Sequence, residues 1–491
     1  MVETYTTDEA LTAVGFGRFQ ALVLVYAGVG WVAESMELML LSFVGPMVRE
    51  EWQVSAQHES LLSSIVFLGM LLGSCAWGFV SDTYGRRTGL LFSTLFTTGM
   101  GFVSAFSPNY ACLVAVRFLV GVGVGGAHVF ASWFLEFVPA HNRGTWMVAF
   151  SVFWTLGTVV EASLAWVVVS ASLSWRWLLA LTAFPVLLLL PLFGATPESP
   201  RYLCARNKLP EATLVLQRIA AANHAALPPG TLTRHSRGES ESDYYECESE
   251  TRYHLPLLLL RARDDDAAMS SKLHSLLSPD LRRSTLLLWF VFYVQYFVYY
   301  GLVLLTSQLV DANTSCPPTV SAVAVLFNGD HHPVPDDAAA AASLYRDTFV
   351  TSFAEIPGLI LSAVLVEWFG RKATMSCLLL TCCAFLAPLL LRQSELWTTG
   401  LLFGARACAM GSSTVLCLYA LEVYPTSVRS TGVGIASAVG KIGGVVCPLV
   451  AVGMLRSCHQ MEAIIVFGAV LCLAAIACML FPLDTKGRDI N

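Results

Sequence analysis

Seven charged residues interrupt stretches that are otherwise apolar: Glu34, Glu37, Arg117, Glu161, Glu355, Arg406 and Lys441. An ionised side chain at the centre of a bilayer costs at least ~2.5–3.5 kcal/mol on insertion scales, so each needs a partner, a wet cleft or a task. Glu34 and Glu37 stand three residues apart and share a helix face. Two adjacent carboxylates compete for ionisation, and such a pair suits uptake and release of a proton. Glu161 sits in Gly157-Thr-Val-Val-Glu161-Ala-Ser, among small residues typical of helix contacts. It is a candidate partner for Arg117, either as a fixed ion pair or as a proton acceptor that frees the arginine. Arg406 is expected to be structural. Glu355 precedes Pro357-Gly358, a kink that can turn its carboxylate into a cavity. Lys441 lies in Ser437-Ala-Val-Gly440-Lys441-Ile-Gly443-Gly444, where small neighbours leave room for an ammonium. Facing a cavity it would attract an anion; snorkelling or salt-bridged, it would touch no substrate.

Tyr293, Tyr296 and Tyr300 are spaced to share one helix face, with Gln295 and Tyr299 beside them. Such a face can stack a planar ring and bond a ring nitrogen, or hold a quaternary ammonium by cation–π attraction. Aromatic residues near helix ends also serve as interface anchors. His128 is lone and expected to be a packed core residue.

The elements that position these groups follow from composition. Of 491 residues, 55% are hydrophobic and 13% are charged, about half the ~25% of an ordinary globular chain. A spanning helix needs ~20 mainly apolar residues. Twelve such stretches are expected, near 19–46, 60–80, 88–107, 110–133, 145–169, 175–195, 285–310, 347–368, 373–391, 396–420, 430–455 and 460–482. The fold class is therefore an all-α membrane protein of twelve transmembrane helices. Residues 1–195 and 284–482 form the two six-helix bundles. Residues 196–283 join them as a cytoplasmic linker, expected to be largely disordered because Gly238-Glu-Ser-Glu-Ser-Asp and its neighbours bury too little apolar surface. Residues 483–491 are a tail.

The loops carrying Arg86, Arg87, Arg143, Arg371, Lys372 and Arg429 share one side, which the positive-inside rule makes cytoplasmic together with both termini. Loop 311–346 is then external, with a glycosylation triplet at Asn313, and Cys316 and Cys458 fall on the same side. The simplest reading of that pair is two free thiols, with pairing as the alternative. Most other cysteines lie in apolar stretches and read as small hydrophobes. The polar first 18 residues show no removable leader. A net charge of −6 gives no sign of a nucleic-acid partner. No cofactor and no metal are expected: zinc-spaced cysteine pairs, HExxH, a nucleophile elbow and a phosphate loop are all missing, so an enzyme is not expected.

The chain repeats itself. Asp82, Arg117, Glu136 and Arg143 recur as Glu367, Arg406, Glu422 and Arg429, at separations of 285, 289, 286 and 286. Two halves of like topology around a midplane site are the architecture of a rocking carrier. Gly85 and Gly370 suit tight turns. Asp82, Arg86, Arg87, Glu136, Arg143, Glu367, Arg371, Glu422 and Arg429 then read as a cytoplasmic gate. Asp82 is expected to face the eleventh helix, and Glu136 and Glu422 to pair with Arg143 and Arg429 across the halves.

Gly78-x3-Asp82-x2-Gly85-Arg86-Arg87 resembles the signature loop of the major facilitator superfamily. Pro197-Glu-Ser-Pro-Arg201 and Asp484-Thr-Lys-Gly-Arg488 resemble its sugar-porter and organic-ion branches. Gly30-Trp-Val-Ala-Glu34 through Ser42 and Ala131-Ser-Trp-Phe-Leu-Glu136 are similar to a plant organic cation/carnitine group that is related to nicotinate transporters and synaptic-vesicle-protein-like carriers. The resemblance implies a secondary transporter, expected to act as a monomer in the plasma membrane, with the vacuolar membrane as rival. In related organic-ion carriers the position of Lys441 looks like a charge selector, basic in anion carriers. The leading expectation is accordingly proton-coupled uptake of an organic anion such as nicotinate. Lys441 would meet its carboxylate, Tyr293, Tyr296, Tyr300, Gln295 and Glu355 would line its pocket, and Glu34, Glu37, Glu161 and Arg117 would handle the proton. An organic cation or carnitine carrier is the alternative, then a non-transporting sensor or vesicle protein. A sugar porter ranks low, because the seventh helix lacks paired glutamines.

Overall fold

The computed structural model describes residues 4–139, 143–233, 274, 276–279, 281–315, 346–391, 393–424 and 429–482. Twelve helices in it are long and apolar enough to cross a membrane. The first six are Arg18–Trp52, Gln57–Tyr84, Arg86–Ala105, Tyr110–Leu135, Trp146–Ser170 and Trp175–Ala195. The last six are Arg282–Thr306, Arg346–Phe369, Arg371–Leu390, Leu396–Ala420, Gly432–Met454 and Gln460–Met479. They form two bundles, one from each half. The first span overruns its expected end by a turn and a half, to Trp52. The seventh helix continues to Ser315, so Asn313 sits in its last turn rather than in a loop, and its side chain lies outside the described residues.

The repeat extends from loop motifs to packing. A Cβ on Gly69 would meet the Phe118 carbonyl at 2.2 Å, and one on Gly358 would meet the Ala407 carbonyl at 2.2 Å. Both residues of the second pair lie 289 positions after those of the first. In each half, then, the second span presses backbone to backbone on the fourth, as small residues permit in lipid. Gly73 and Gly125 continue the contact in the first half. Gly85 and Gly370 carry φ of +107° and +79°, which only glycine adopts without strain, and each starts a new span at an arginine.

The start of the presumed linker is folded, which corrects the expectation of disorder for that part. Pro200–Ala205 and Leu209–Ala222 are helices, and Thr231–Leu232 pairs in parallel with Thr4–Tyr5. Together with the capped helix Thr7–Val14 they bury Leu11, Leu203, Leu216 and Ile219 in one apolar cluster with residues of the first half such as Phe134 and Phe137. This cap forms because those helices are amphipathic, a pattern that the acidic run further on obscures. The run 238–250 and the tail 483–491 lie outside the described residues. Cys458 is disulfide-bonded rather than free, and Cys316 lies outside the described residues.

Candidate functional site

An open cavity lies between the halves. Trp31, Trp154, Tyr296, Tyr299 and Tyr300 form its aromatic wall, with Gln295, Ser151, Ser413 and Thr414 as polar groups. Met147, near the start of the fifth span, and Leu418, near the end of the tenth, also line it. The cavity thus runs from mid-membrane toward the end that carries Arg86, Arg87, Arg371 and Lys372, called here the basic end. Gln295 is held by the tenth span, donating to Ala409 O at 2.7 Å and accepting from Ser412 at 2.8 Å. Tyr296 Oη lies 3.2 Å from Ser437 Oγ. Tyr293 is not in the wall: it stacks on Phe297, and Tyr299 takes the place expected for it.

Several expected placements change. Lys441 is 7% exposed and does not line this cavity; its chief charged neighbour is Glu34 of the other half. Glu355 is fully buried behind the wall, where it accepts from Arg406 at 2.9 Å, Tyr299 at 2.6 Å and Thr155 at 3.1 Å. Arg117 pairs with Glu37 at 2.9 Å, not with Glu161, and the pair is 1–2% exposed. Glu161 instead accepts from the Thr182 hydroxyl at 2.9 Å. Glu34 and Glu37 therefore part company despite their spacing. Glu37 turns to Arg117, whereas Glu34 lines a small recess of the same half with Ser93, Thr94 and Thr97. His128 is exposed, with Nδ1 3.0 Å from Gly125 O, and is not the packed core residue expected.

At the basic end, Glu136 pairs with Arg86 of its own half at 2.9 Å, and Asp82 pairs with the same arginine rather than with the eleventh span. Glu422 accepts from Arg371, likewise of its own half, at 2.8 Å. Glu367 is exposed, and the side chains of Arg143 and Arg429 lie outside the described residues. Arg87 stacks on Phe193. Glu198 accepts from the backbone N–H groups of Arg86 and Arg87 at the start of the third span, with burial pushing its carboxyl above the usual range.

Sequence reasoning missed the opposite end. Glu59 of the second span is buried and meets Arg456 at 3.4 Å, Gln308 at 2.8 Å and Arg49 at 3.7 Å. Arg456 and Gln308 belong to the other half. Ser42 donates to Val303 O across the same seam. Among the described residues, hydrogen bonds and ion pairs between the halves lie at this end or near mid-membrane. The basic end is therefore where the halves stand apart. Trp31 and Trp154 were also missed; their only sequence signal was that they are tryptophans within apolar helices.

The family described as Sugar (and other) transporter matches residues 30–232 and 342–491. The chain belongs to that family, within the major facilitator superfamily. It is 49% identical to organic cation/carnitine transporter 7 of Arabidopsis thaliana, over 99% of this chain and 96% of that one. It is 35% identical to the synaptic vesicle 2-related protein of Xenopus laevis, over 100% of this chain and 83% of that one. The xylose transporter XylE from E. coli, in a partially occluded inward-open conformation, superposes with a TM-score of 0.68 at 15% identity, covering 95% of this chain and 99% of that one. That likeness concerns the fold. Family and architecture make the chain a multi-pass secondary transporter of the sugar-porter branch, not an enzyme.

Proposed function

We propose that this transporter carries small organic cations, of the quaternary-ammonium kind that carnitine exemplifies, coupled to protons. The observation that carries the reading is the cavity wall of two tryptophans and three tyrosines with no basic side chain on it. A ring face attracts a cation by about 0.5–2 kcal/mol, more as water is excluded. The name of the Arabidopsis relative points the same way. The nicotinate reading needed an ammonium on the wall, and Lys441 stands apart from it, facing Glu34.

Proton coupling rests on the buried Glu37–Arg117 pair, since protonation of Glu37 would free the arginine and alter the first half's packing. The positive-inside rule makes the basic end cytoplasmic, so the cavity faces the cytoplasm in this state. Alternating access then requires the Glu59 seam to part as the basic end closes. The plasma membrane is the favoured location. The test is uptake of labelled carnitine, tetraethylammonium, nicotinate and glucose into expressing cells, with and without a proton gradient. Gradient-driven uptake of the first two is expected. Uptake of nicotinate alone would overturn the cation reading.

A further inference from the structure

We infer that Glu355 is a positioning residue whose carboxylate makes the cavity's own aromatic wall the latch between the two halves. Tyr299 stands at the centre of this arrangement. Its hydroxyl donates to Glu355 Oε1 at 2.6 Å and accepts from Trp154 Nε1 at 2.6 Å. Trp154 belongs to the first half and Tyr299 to the second, and both line the cavity. A second bond runs parallel to the first: Thr155 Oγ1 of the first half donates to Glu355 Oε2 at 3.1 Å. Behind them Arg406 grips Glu355 Oε1 through Nε and Nη2, at 3.1 and 2.9 Å, and Arg406 also reaches Met39 Sδ of the first half at 3.8 Å.

The polarity of the chain fixes its function. A tyrosine hydroxyl has one proton to donate. Because the carboxylate takes that proton, the oxygen lone pairs are left to receive the indole N–H. Were Glu355 absent, Tyr299 could turn its proton elsewhere, and the indole would lose an oriented acceptor. Arg406 in turn holds the carboxylate in place. The bond between the halves is thus set from behind by residues that never touch the cavity. Because Tyr299 and Trp154 are themselves cavity-lining, an occupant that shifts either ring acts directly on the seam. The arrangement couples occupancy to rocking without a separate sensor.

This rests on the transporter reading and on the basic end being cytoplasmic, but not on which cargo is carried, so the experiment uses no substrate. Met39→Cys, placed in a background whose exposed native cysteines are replaced, reports opening of the seam to a membrane-impermeant thiol reagent added outside. Tyr299→Phe keeps the ring and deletes the hydroxyl; Trp154→Phe deletes the donor; Thr155→Val deletes the parallel bond. Tyr299→Phe and Trp154→Phe are each expected to raise the labelling rate roughly five-fold, the shift that one net hydrogen bond supplies. The double variant should match either single one, because both remove the same bond. Glu355→Gln, which disturbs both this chain and the Thr155 bond, should label at least as fast as Tyr299→Phe. Tyr296→Phe, whose hydroxyl bonds within its own half, should leave labelling unchanged. Equal labelling in Tyr299→Phe and the parent, or additive effects in the double variant, would overturn the latch. Size-exclusion of each solubilised variant separates misfolding from opening, and Thr155→Val gives the answer should Glu355→Gln fail to fold. Absence of cation uptake by the parent protein, with labelling as expected, would sink the cargo reading alone.

Discussion

Glu59 Oε2 and Arg456 Nε lie 3.4 Å apart across the seam between the halves, with the carboxylate 1% and the guanidinium 6% exposed. Burial this complete makes the pair costly to half-remove, on the order of 3–5 kcal/mol. Glu59→Gln keeps the Gln308 contact and discards the charge. It is expected to populate the state open at this end and to increase labelling of an outer-end cysteine by an external thiol reagent several-fold. Unchanged labelling would mean that the seam is held by apolar packing alone.

Arg117 and Glu37 make the corresponding test of coupling. Glu37→Gln mimics the protonated acid permanently. The variant should retain exchange of substrate across the membrane while losing at least about ten-fold in gradient-driven accumulation, measured as counterflow against net uptake. Equal loss of both activities would assign the pair to structure. Arg117→Ala leaves Glu37 buried without its partner and should cost ~3–5 kcal/mol of stability.

Close packing offers a prediction that needs no transport. A Cβ on Gly157 would lie 1.8 Å from Ser35 Oγ and 2.4 Å from the Val32 carbonyl, which is backbone and cannot rotate aside. Gly157→Ala should therefore destabilise the first half by about 1–3 kcal/mol, read as a fall in the melting temperature of the solubilised protein. Gly99→Ala and Gly434→Ala, which meet nothing within 4 Å, should melt no earlier than the parent.

Glu198 gives a pH-dependent expectation. Burial raises its carboxyl pKa in the folded state, against the lowering effect of the N–H groups of Ser199, Arg87 and Arg86. An acid whose folded pKa is raised binds its proton more tightly when native. Its contribution to stability is complete below the unfolded pKa and is lost as pH rises through the folded value. Glu198→Gln resembles the protonated form at every pH. The melting temperature of the variant relative to the parent should therefore climb as pH rises above the ordinary carboxylate pKa of about 4; a flat difference would contradict the shift.

Span count, the two-half repeat and the turn glycines were legible because each is a one-dimensional signal: hydrophobic length, recurrence, or a φ that only glycine adopts. Site geometry was not, because it depends on the rotation of twelve helices about their axes. Glu34 and Glu37 share a face by spacing, yet the width of that face is enough for Glu37 to reach Arg117 while Glu34 lines a recess with Ser93, Thr94 and Thr97. Glu161 was matched to Arg117 by charge, but Thr182 satisfied it first. Lys441 lies in a glycine-rich stretch that suggested a cavity, whereas the space its neighbours leave is filled by other helices: a Cβ on Gly443 would meet the Tyr293 carbonyl at 2.2 Å. Glu59 lay at a helix start, where an acidic residue is unremarkable in sequence, and only the fold brings Arg456 to it.

The register of Thr4 with Thr231 stitches the entrance of the first bundle to its exit. The cap is therefore tied to the first bundle from both sides of the six spans, and a movement of that bundle carries the cap along with it. A pair of fluorophores, one on the stitched strand and one at Arg282 where the second bundle begins, would act as a ruler for each stroke of the carrier, reading out turnover one molecule at a time.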